Sequence, residues 1–290
     1  MNQLLFRERT EGFMIDRVLR DSEFTMPIRH LHSEYEIYYL LEGAQNYFIE
    51  HETYFVCAGT VVLIDRDKIH KTSTAGAAHQ DRMVMELHQE WINPFLHAIG
   101  FWTIEQFLSE YRIVQLDEAG QIYVKTLFLA IGEEMRTKKL GYECIVKMKL
   151  AEFMFYILRF QNRKDSNWTG CVVQSPKYSK VHEVADYIQS HYRDPLSLQS
   201  LAEEFYVSKC YLSRIFKAVT GLTVHEYIAI QRVKQGKYLL EQETYNITQI
   251  SELVGFDSIT YFEKVFKKYT GHTPGKYRKS KGSTGGSSPF

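Results

Sequence analysis

Between residues 13 and 88 the chain is a succession of short apolar and aromatic runs broken by Gly, Asp and Asn. Glu36-Ile37-Tyr38-Tyr39-Leu40-Leu41 ends at Glu42-Gly43, Tyr47–Glu50 follows, and Thr53–Cys57 closes at Ala58-Gly59. Val61–Ile64 and Met83–Leu87 complete the series. This spacing predicts an antiparallel sandwich or barrel rather than βαβ units. Period-2 alternation places Glu36, Tyr38 and Leu40 on one face of their strand and Ile37, Tyr39 and Leu41 on the other. Beyond Pro94 the period lengthens, and helices are predicted over 121–136 and 142–163, the second with Val146, Leu150, Phe153 and Ile157 along one stripe. Lys164–Gly170 reads as a linker continuing to Lys177, and from Val181 onward the pattern is helical. The Gly- and Ser-rich end reads as a disordered tail. The expected organisation is residues 1–163, a linker at 164–177, a helical domain at 178–279 and a tail at 280–290.

Composition narrows the class. Aromatics make up 14% of the 290 residues, which argues against disorder. The longest apolar stretches, such as Phe153–Leu158, fall far short of the roughly 20 residues that span a bilayer. The N-terminus lacks the apolar run of a signal peptide, and the four cysteines show no paired spacing. A cytoplasmic protein with reduced thiols and no membrane partner is expected. The net charge of zero conceals an asymmetry: residues 1–176 hold 19 Lys and Arg against 24 Asp and Glu, and residues 177–281 hold 16 against 11. A basic third on an acidic body suggests a polyanion-binding module on a carrier.

That basic third contains an internal repeat. Leu201–Lys217 aligns with Ile250–Lys267 at an offset of 49 residues before a turn and 50 after it. Each copy has a short helix with a small residue (Ala202, Ser251), a tight turn, and Ser at the start of a longer helix. This is the pattern of a helix-turn-helix. Gly255 supplies backbone freedom in the longer turn; Ser208, and Asp257 or Ser258, are placed to cap the second helices. Core spacing buries Leu212, Ile215, Phe216 and Val219, leaving Lys209, Cys210, Ser213, Arg214 and Lys217 outside. In the other copy Phe262, Val265 and Phe266 face inward, leaving Ile259, Thr260, Glu263, Lys264 and Lys267 outside. The connecting segment from Val224 to Leu240, ~17 residues at ~1.5 Å each, forms a strut of roughly 25 Å between two recognition helices.

These residues carry a resemblance. Leu201-Ala202, Ser208, Leu212–Lys217, Gly221, Tyr227-Ile228, Arg232, Leu239-Leu240, Ile250, Val254–Phe256, Tyr261-Phe262, Phe266–Lys268 and Gly271–Arg278 resemble the AraC/XylS family of bacterial transcription regulators. Ser251 stands where that family usually has Ala. The resemblance implies two recognition helices in adjacent major grooves of double-stranded DNA. Arg214 then forks onto guanine, Lys209, Lys217, Lys267 and Lys268 meet phosphates, and Cys210, Ser213, Ile259, Thr260, Glu263 and Lys264 are candidate base contacts.

It also implies an N-terminal sensor. His30-Leu31-His32-Ser33-Glu34-Tyr35-Glu36 with Gly43 resembles the first cupin motif; Gly59 with His70 resembles the second, although Asp65 and Asp67 replace its usual Pro and Gly. The expected fold class is therefore an α+β multidomain chain: a cupin-like β-barrel with two accessory helices, then an all-α domain with two helix-turn-helix units joined by a long helix. His30, His32, Glu36 and His70 are the ligand set of metal cupins, so a divalent metal stays open as a cofactor. The preferred reading is that they, with Tyr38, contact a small effector, and no cofactor is expected. The function implied is a ligand-responsive transcription activator of carbohydrate-related genes, not an enzyme. It would work as a homodimer through the helices at 121–136 and 142–163, with a sugar as effector and RNA polymerase as a further partner. The alternatives are a non-sugar effector such as a fatty acid, or a metal-dependent cupin enzyme.

Overall fold

The computed structural model describes residues 2–22, 34–75, 79–110, 113–161, 171–173, 175–242 and 244–282. His30, His32, the linker residues 164–170 and the end of the tail lie outside this set. The chain divides into two compact units, one built mainly from residues before 174 and one mainly from the helical remainder.

Among the described residues the first unit holds ten strands: β1 (Asn2–Thr10), β2 (Phe13–Asp21), β3 (Tyr35–Glu42), β4 (Ala44–Ile49), β5 (Glu52–Cys57), β6 (Thr60–Ile64), β7 (His70–Thr74), β8 (His79–Leu87), β9 (Ile113–Gln115) and β10 (Cys171–Val172). They form a six-stranded sheet, β1-β2-β8-β3-β6-β9, and a four-stranded sheet, β10-β5-β4-β7. The pairings are antiparallel, as the turn-punctuated pattern predicts. Four helices accompany them: α1 (Gln89–Ala98), α2 (Ile104–Glu110), α3 (Glu118–Thr137) and α4 (Tyr142–Gln161). The period-2 alternation of β3 sorts its side chains between two cores. Ile37 and Tyr39 pack with Phe128, Ile131, Leu150 and Phe153 of α3 and α4, while Tyr38 and Leu40 pack with Tyr47, Ile49 and Val56 of the second sheet.

Several elements depart from the expectation. The structure adds α1 and α2 to the two accessory helices. Pro94 inside α1 reads as a breaker because it lacks the N–H and crowds the preceding turn. Strand β1 is an exposed edge whose register shifts between Leu4 and Phe6, so no clean alternation marks it. Helix α3 begins at Glu118 because Asp117 accepts a 2.7 Å hydrogen bond from the Gly120 N–H.

The second unit is helical: α5 (Pro176–His191), α6 (Leu198–Glu204), α7 (Lys209–Thr220), α8 (Val224–Glu241), α9 (Ile247–Leu253), α10 (Ile259–Thr270) and α11 (Pro274–Gly282). Helix α5 starts five residues before Val181, with proline in its first turn where a missing N–H costs nothing. Helix α11 carries helical backbone to Gly282, into the stretch read as tail. The sequence repeat is a repeat of hydrogen bonds. Ser197 and Asn246 open α6 and α9 with capping boxes. Val207 N–H bonds to Ala202 C=O as Phe256 N–H bonds to Ser251 C=O, both at 2.9 Å. Gly221 and Gly271 close α7 and α10 at φ of 79° and 76°. Thr220 and Thr270 hydroxyls bond back to Phe216 and Phe266 carbonyls. The turns differ at the left-handed position, which Tyr206 occupies at φ 53° and Gly255 at φ 89°.

Candidate functional site

In the first unit, one face of the large sheet carries a cavity of about 310 Å³. Cross-strand register builds it in rows. Arg9 (β1), Met14 (β2), Glu86 (β8) and Glu36 (β3) stand opposite one another, and Arg7, Asp16, Val84 and Tyr38 form the next row. Further along the same face lie Arg82 and, two residues on, Arg20. Tyr47 and Thr72, paired between β4 and β7, complete the lining. Asp16 is the central anchor: Arg7 reaches its carboxylate at 2.7 Å and Arg82 at 3.0 Å. The Tyr47 hydroxyl donates to Glu36 at 2.9 Å, and burial beside this carboxylate pushes its pKa well up. The Tyr38 hydroxyl is buried without a well-formed hydrogen bond, and burial likewise raises its pKa. Burial first, then repulsion by Arg82, lowers the Arg20 guanidinium to about 10.

Of the residues singled out from sequence, Glu36 and Tyr38 line this cavity. His70 does not; its Nδ1 lies 2.9 Å from the Lys68 carbonyl and its Nε2 3.6 Å from Glu36, behind the wall. Glu36 and His70 are the described half of the cupin ligand set. Glu36 already accepts the Tyr47 hydroxyl, and the other half of the set, His30 and His32, lies outside the described residues. The sequence reading missed Asp16, Arg20, Arg82 and Glu86. Their signal is a charged residue at every second or fourth position of β2 and β8, opposite apolar Ile15 and Met85.

In the second unit the two recognition helices present the faces that sequence assigns to them. On α7, Lys209, Cys210, Arg214 and Lys217 are exposed and Ser213 half-buried, over buried Leu212, Ile215, Phe216 and Val219. On α10, Ile259, Thr260, Glu263, Lys264, Lys267 and Lys268 are exposed over Phe262, Val265 and Phe266. Ser208 caps α7 by accepting from Tyr211 N–H at 3.2 Å, whereas Ser258 makes no side-chain cap bond. The 18 residues of α8 connect the two helix-turn-helix motifs over about 27 Å. Lys268 is partly occupied, 3.9 Å from Glu226 and 3.5 Å from the Tyr269 hydroxyl. Burial raises the Glu226 carboxyl, but the Thr223 N–H and hydroxyl, then Lys268 and Lys217, outweigh it and leave its pKa lowered.

Comparison with known proteins agrees with this division. Residues 18–134 match the model of an AraC-like ligand binding domain, and residues 201–280 that of a helix-turn-helix domain. The arabinose operon regulatory protein of Escherichia coli is 35% identical over 235 residues, covering 77% of this chain and 73% of that protein. The uncharacterized regulator YfiF of Bacillus subtilis is 25% identical over 86% of this chain and 78% of its own length. The Msm operon regulatory protein of Streptococcus mutans is 39% identical over 99 residues, 34% of this chain and 36% of that protein.

Proposed function

Because this chain belongs to the AraC/XylS family of ligand-binding, DNA-binding transcription regulators, and not to an enzyme family, we propose that its two recognition helices read a double-stranded operator while a small effector occupies the barrel cavity. The observation that carries the reading is the pair of matched helix-turn-helix units, each exposing lysines over a buried apolar stripe. Arg214 forks onto a guanine, and Lys209, Lys217 and Lys267 meet phosphates. Cys210, Ser213, Ile259, Thr260, Glu263 and Lys264 meet base edges. The effector is sugar-like; polar residues of both signs in the cavity support this, as does a relative named for an arabinose operon. The protein acts in the cytoplasm as an activator, with RNA polymerase as partner. It works as a homodimer through α3 and α4, where Ile122, Leu129 and Met148 are exposed. No helix among the described residues is long and apolar enough to cross a membrane.

The test is binding to an operator selected by the full chain from random duplexes. Arg214→Ala should weaken that complex by about 1–3 kcal/mol and spare random duplex. Equal loss on both DNAs refutes base reading by Arg214.

A further inference from the structure

The charges of the barrel cavity are sorted by position. Glu36 and Glu86 face each other in one row, Asp16 lies in the next, and Arg82 and Arg20 occupy the opposite end. With ~3.3 Å of rise per residue, the Glu86 and Arg82 positions on β8 are separated by about 13 Å of strand. Arg20 is 7% exposed and Asp16 and Glu36 are 2% and 4% exposed, so both ends are built into the barrel wall. Four arginines (Arg7, Arg9, Arg20, Arg82) face three carboxylates, which leaves the lining one positive charge in excess. Asp16 is already shared between Arg7 and Arg82. Between the poles stands the buried Tyr38 hydroxyl, beside Gln45 but without a well-formed hydrogen bond.

We propose that the effector is a sugar acid, a polyhydroxylated molecule bearing one carboxylate, held with that carboxylate toward Arg20 and Arg82 and its hydroxyls toward Glu36, Glu86 and Tyr38. A guanidinium presents parallel N–H donors that match a carboxylate. Buried carboxylates and a tyrosine hydroxyl are acceptors and donors for sugar hydroxyls, and they would repel a second anionic group. The single excess positive charge suits a monoanion better than a phosphate dianion. The lowered pKa of Arg20 agrees, since burial makes its charge costly. A cavity of about 310 Å³ sits at the small end of the ~300–1,000 Å³ typical of ligand sites, suited to a monosaccharide. This inference rests on the reading of the cavity as the effector site.

Calorimetric titration of the full chain with galacturonate and glucuronate, against galactose, glucose and galactose 6-phosphate, tests it. A uronate should bind roughly ten- to a hundredfold more tightly than its neutral hexose. Arg20→Gln should erase that preference, and Arg20→Lys should restore part of it. Tryptophan-monitored melting confirms that each variant is folded. Uronates that fail to bind, bind no better than neutral hexoses, or yield to the phosphate overturn the sugar-acid assignment. A neutral sugar whose binding ignores Arg20→Gln but is abolished by Val84→Trp, which fills the cavity, overturns only the ligand class. Saccharide binding that survives Val84→Trp overturns the cavity itself.

Discussion

Substituting Gly255 by alanine tests the architecture of the second helix-turn-helix at the one backbone position where its two turns differ. Gly255 sits at φ 89°, and a Cβ placed there would meet the Arg193 carbonyl oxygen at 2.6 Å and its Cα at 2.9 Å. These are backbone atoms, and they are pinned: the Arg232 guanidinium donates to the Tyr192 carbonyl at 2.7 Å and to the Asp194 carbonyl at 2.8 Å, one residue either side. The left-handed conformation alone costs about 1–2 kcal/mol for an L side chain. The forced displacement adds about 1–3 kcal/mol, and the lower entropy of the unfolded alanine chain returns about 0.4–1 kcal/mol. The net loss is about 1–4.5 kcal/mol. Gly271→Ala is the internal control, because its φ is 76° but nothing lies within 4 Å of the new Cβ; it should cost about 1 kcal/mol or less. Tyr206→Gly is the reciprocal change. Tyr206 holds the equivalent left-handed position with its side chain 95% exposed, so relief of strain outweighs glycine's extra entropy and gives a gain of up to about 1 kcal/mol. The three tryptophans all precede residue 175, so the readout has to come from the helices themselves. Hydrogen exchange followed by mass spectrometry of peptides spanning 246–270 is therefore the assay. Protection in Gly255→Ala that matches Gly271→Ala would refute the clash with Arg193.

In the barrel, Tyr47→Phe removes the 2.9 Å hydrogen bond to buried Glu36 and should cost about 1.5–3 kcal/mol, read from tryptophan-monitored denaturation; an unchanged midpoint would mean that Glu36 is neutral or otherwise satisfied. His79 lies 2.7 Å from Asp21 and 3.1 Å from Glu42, and its hydrogen bonds to Asp21 and then Glu42 raise its pKa. A raised folded pKa gives stability that is fully present below the unfolded value of about 6.5 and is lost as pH rises through the folded value. The melting temperature of the native chain should therefore fall across that window relative to His79→Asn, and parallel pH profiles would refute the linkage.

The legible parts of this protein are those in which local sequence and tertiary burial impose the same pattern. Helices α7 and α10 each carry a clean apolar stripe, and the offset of 49 and then 50 residues locates the turn between α6 and α7 and that between α9 and α10 to the residue. Strand β3 is legible for the same reason, although its alternation separates two apolar cores rather than a core from solvent. The cavity was half legible. Glu36 and Tyr38 stand in a strand whose pattern is plain, whereas Asp16, Arg20, Arg82 and Glu86 are charged residues that sequence assigns to solvent. They face inward because β2 and β8 are paired over nine residues, from Phe13 with Leu87 to Asp21 with His79, so their polar face covers the cavity. Such pairing is long-range, between positions 58 to 74 apart, and leaves no local trace. For His70, motif spacing gives proximity to Glu36 but not whether the ring lines the cavity.

Geometry also separates two neighbouring lysines that sequence treats alike. Lys267 and Lys268 both end the second recognition helix and both add positive charge. Lys268 Nζ lies 3.9 Å from Glu226, with the Tyr269 ring 4.9 Å away and the Tyr269 hydroxyl at 3.5 Å. A phosphate taken by Lys268 must therefore displace an existing neighbour and leave the lowered-pKa Glu226 carboxylate less compensated beside a polyanion. Lys267 is exposed on the same helix, one turn after Glu263 but in no ion pair among the described residues. Each lysine that neutralises a phosphate contributes about 0.9 to the slope of log affinity against log salt. Lys267→Ala should lower that slope by about 1 on operator and random duplex alike, and Lys268→Ala should lower it by clearly less. Removing Glu226 as well, in the Glu226→Gln background, should bring the Lys268→Ala effect up toward that of Lys267→Ala. Equal slopes for the two single variants in the native background would show that the Glu226 pair opens without cost on DNA, and the distinction between the lysines would fall.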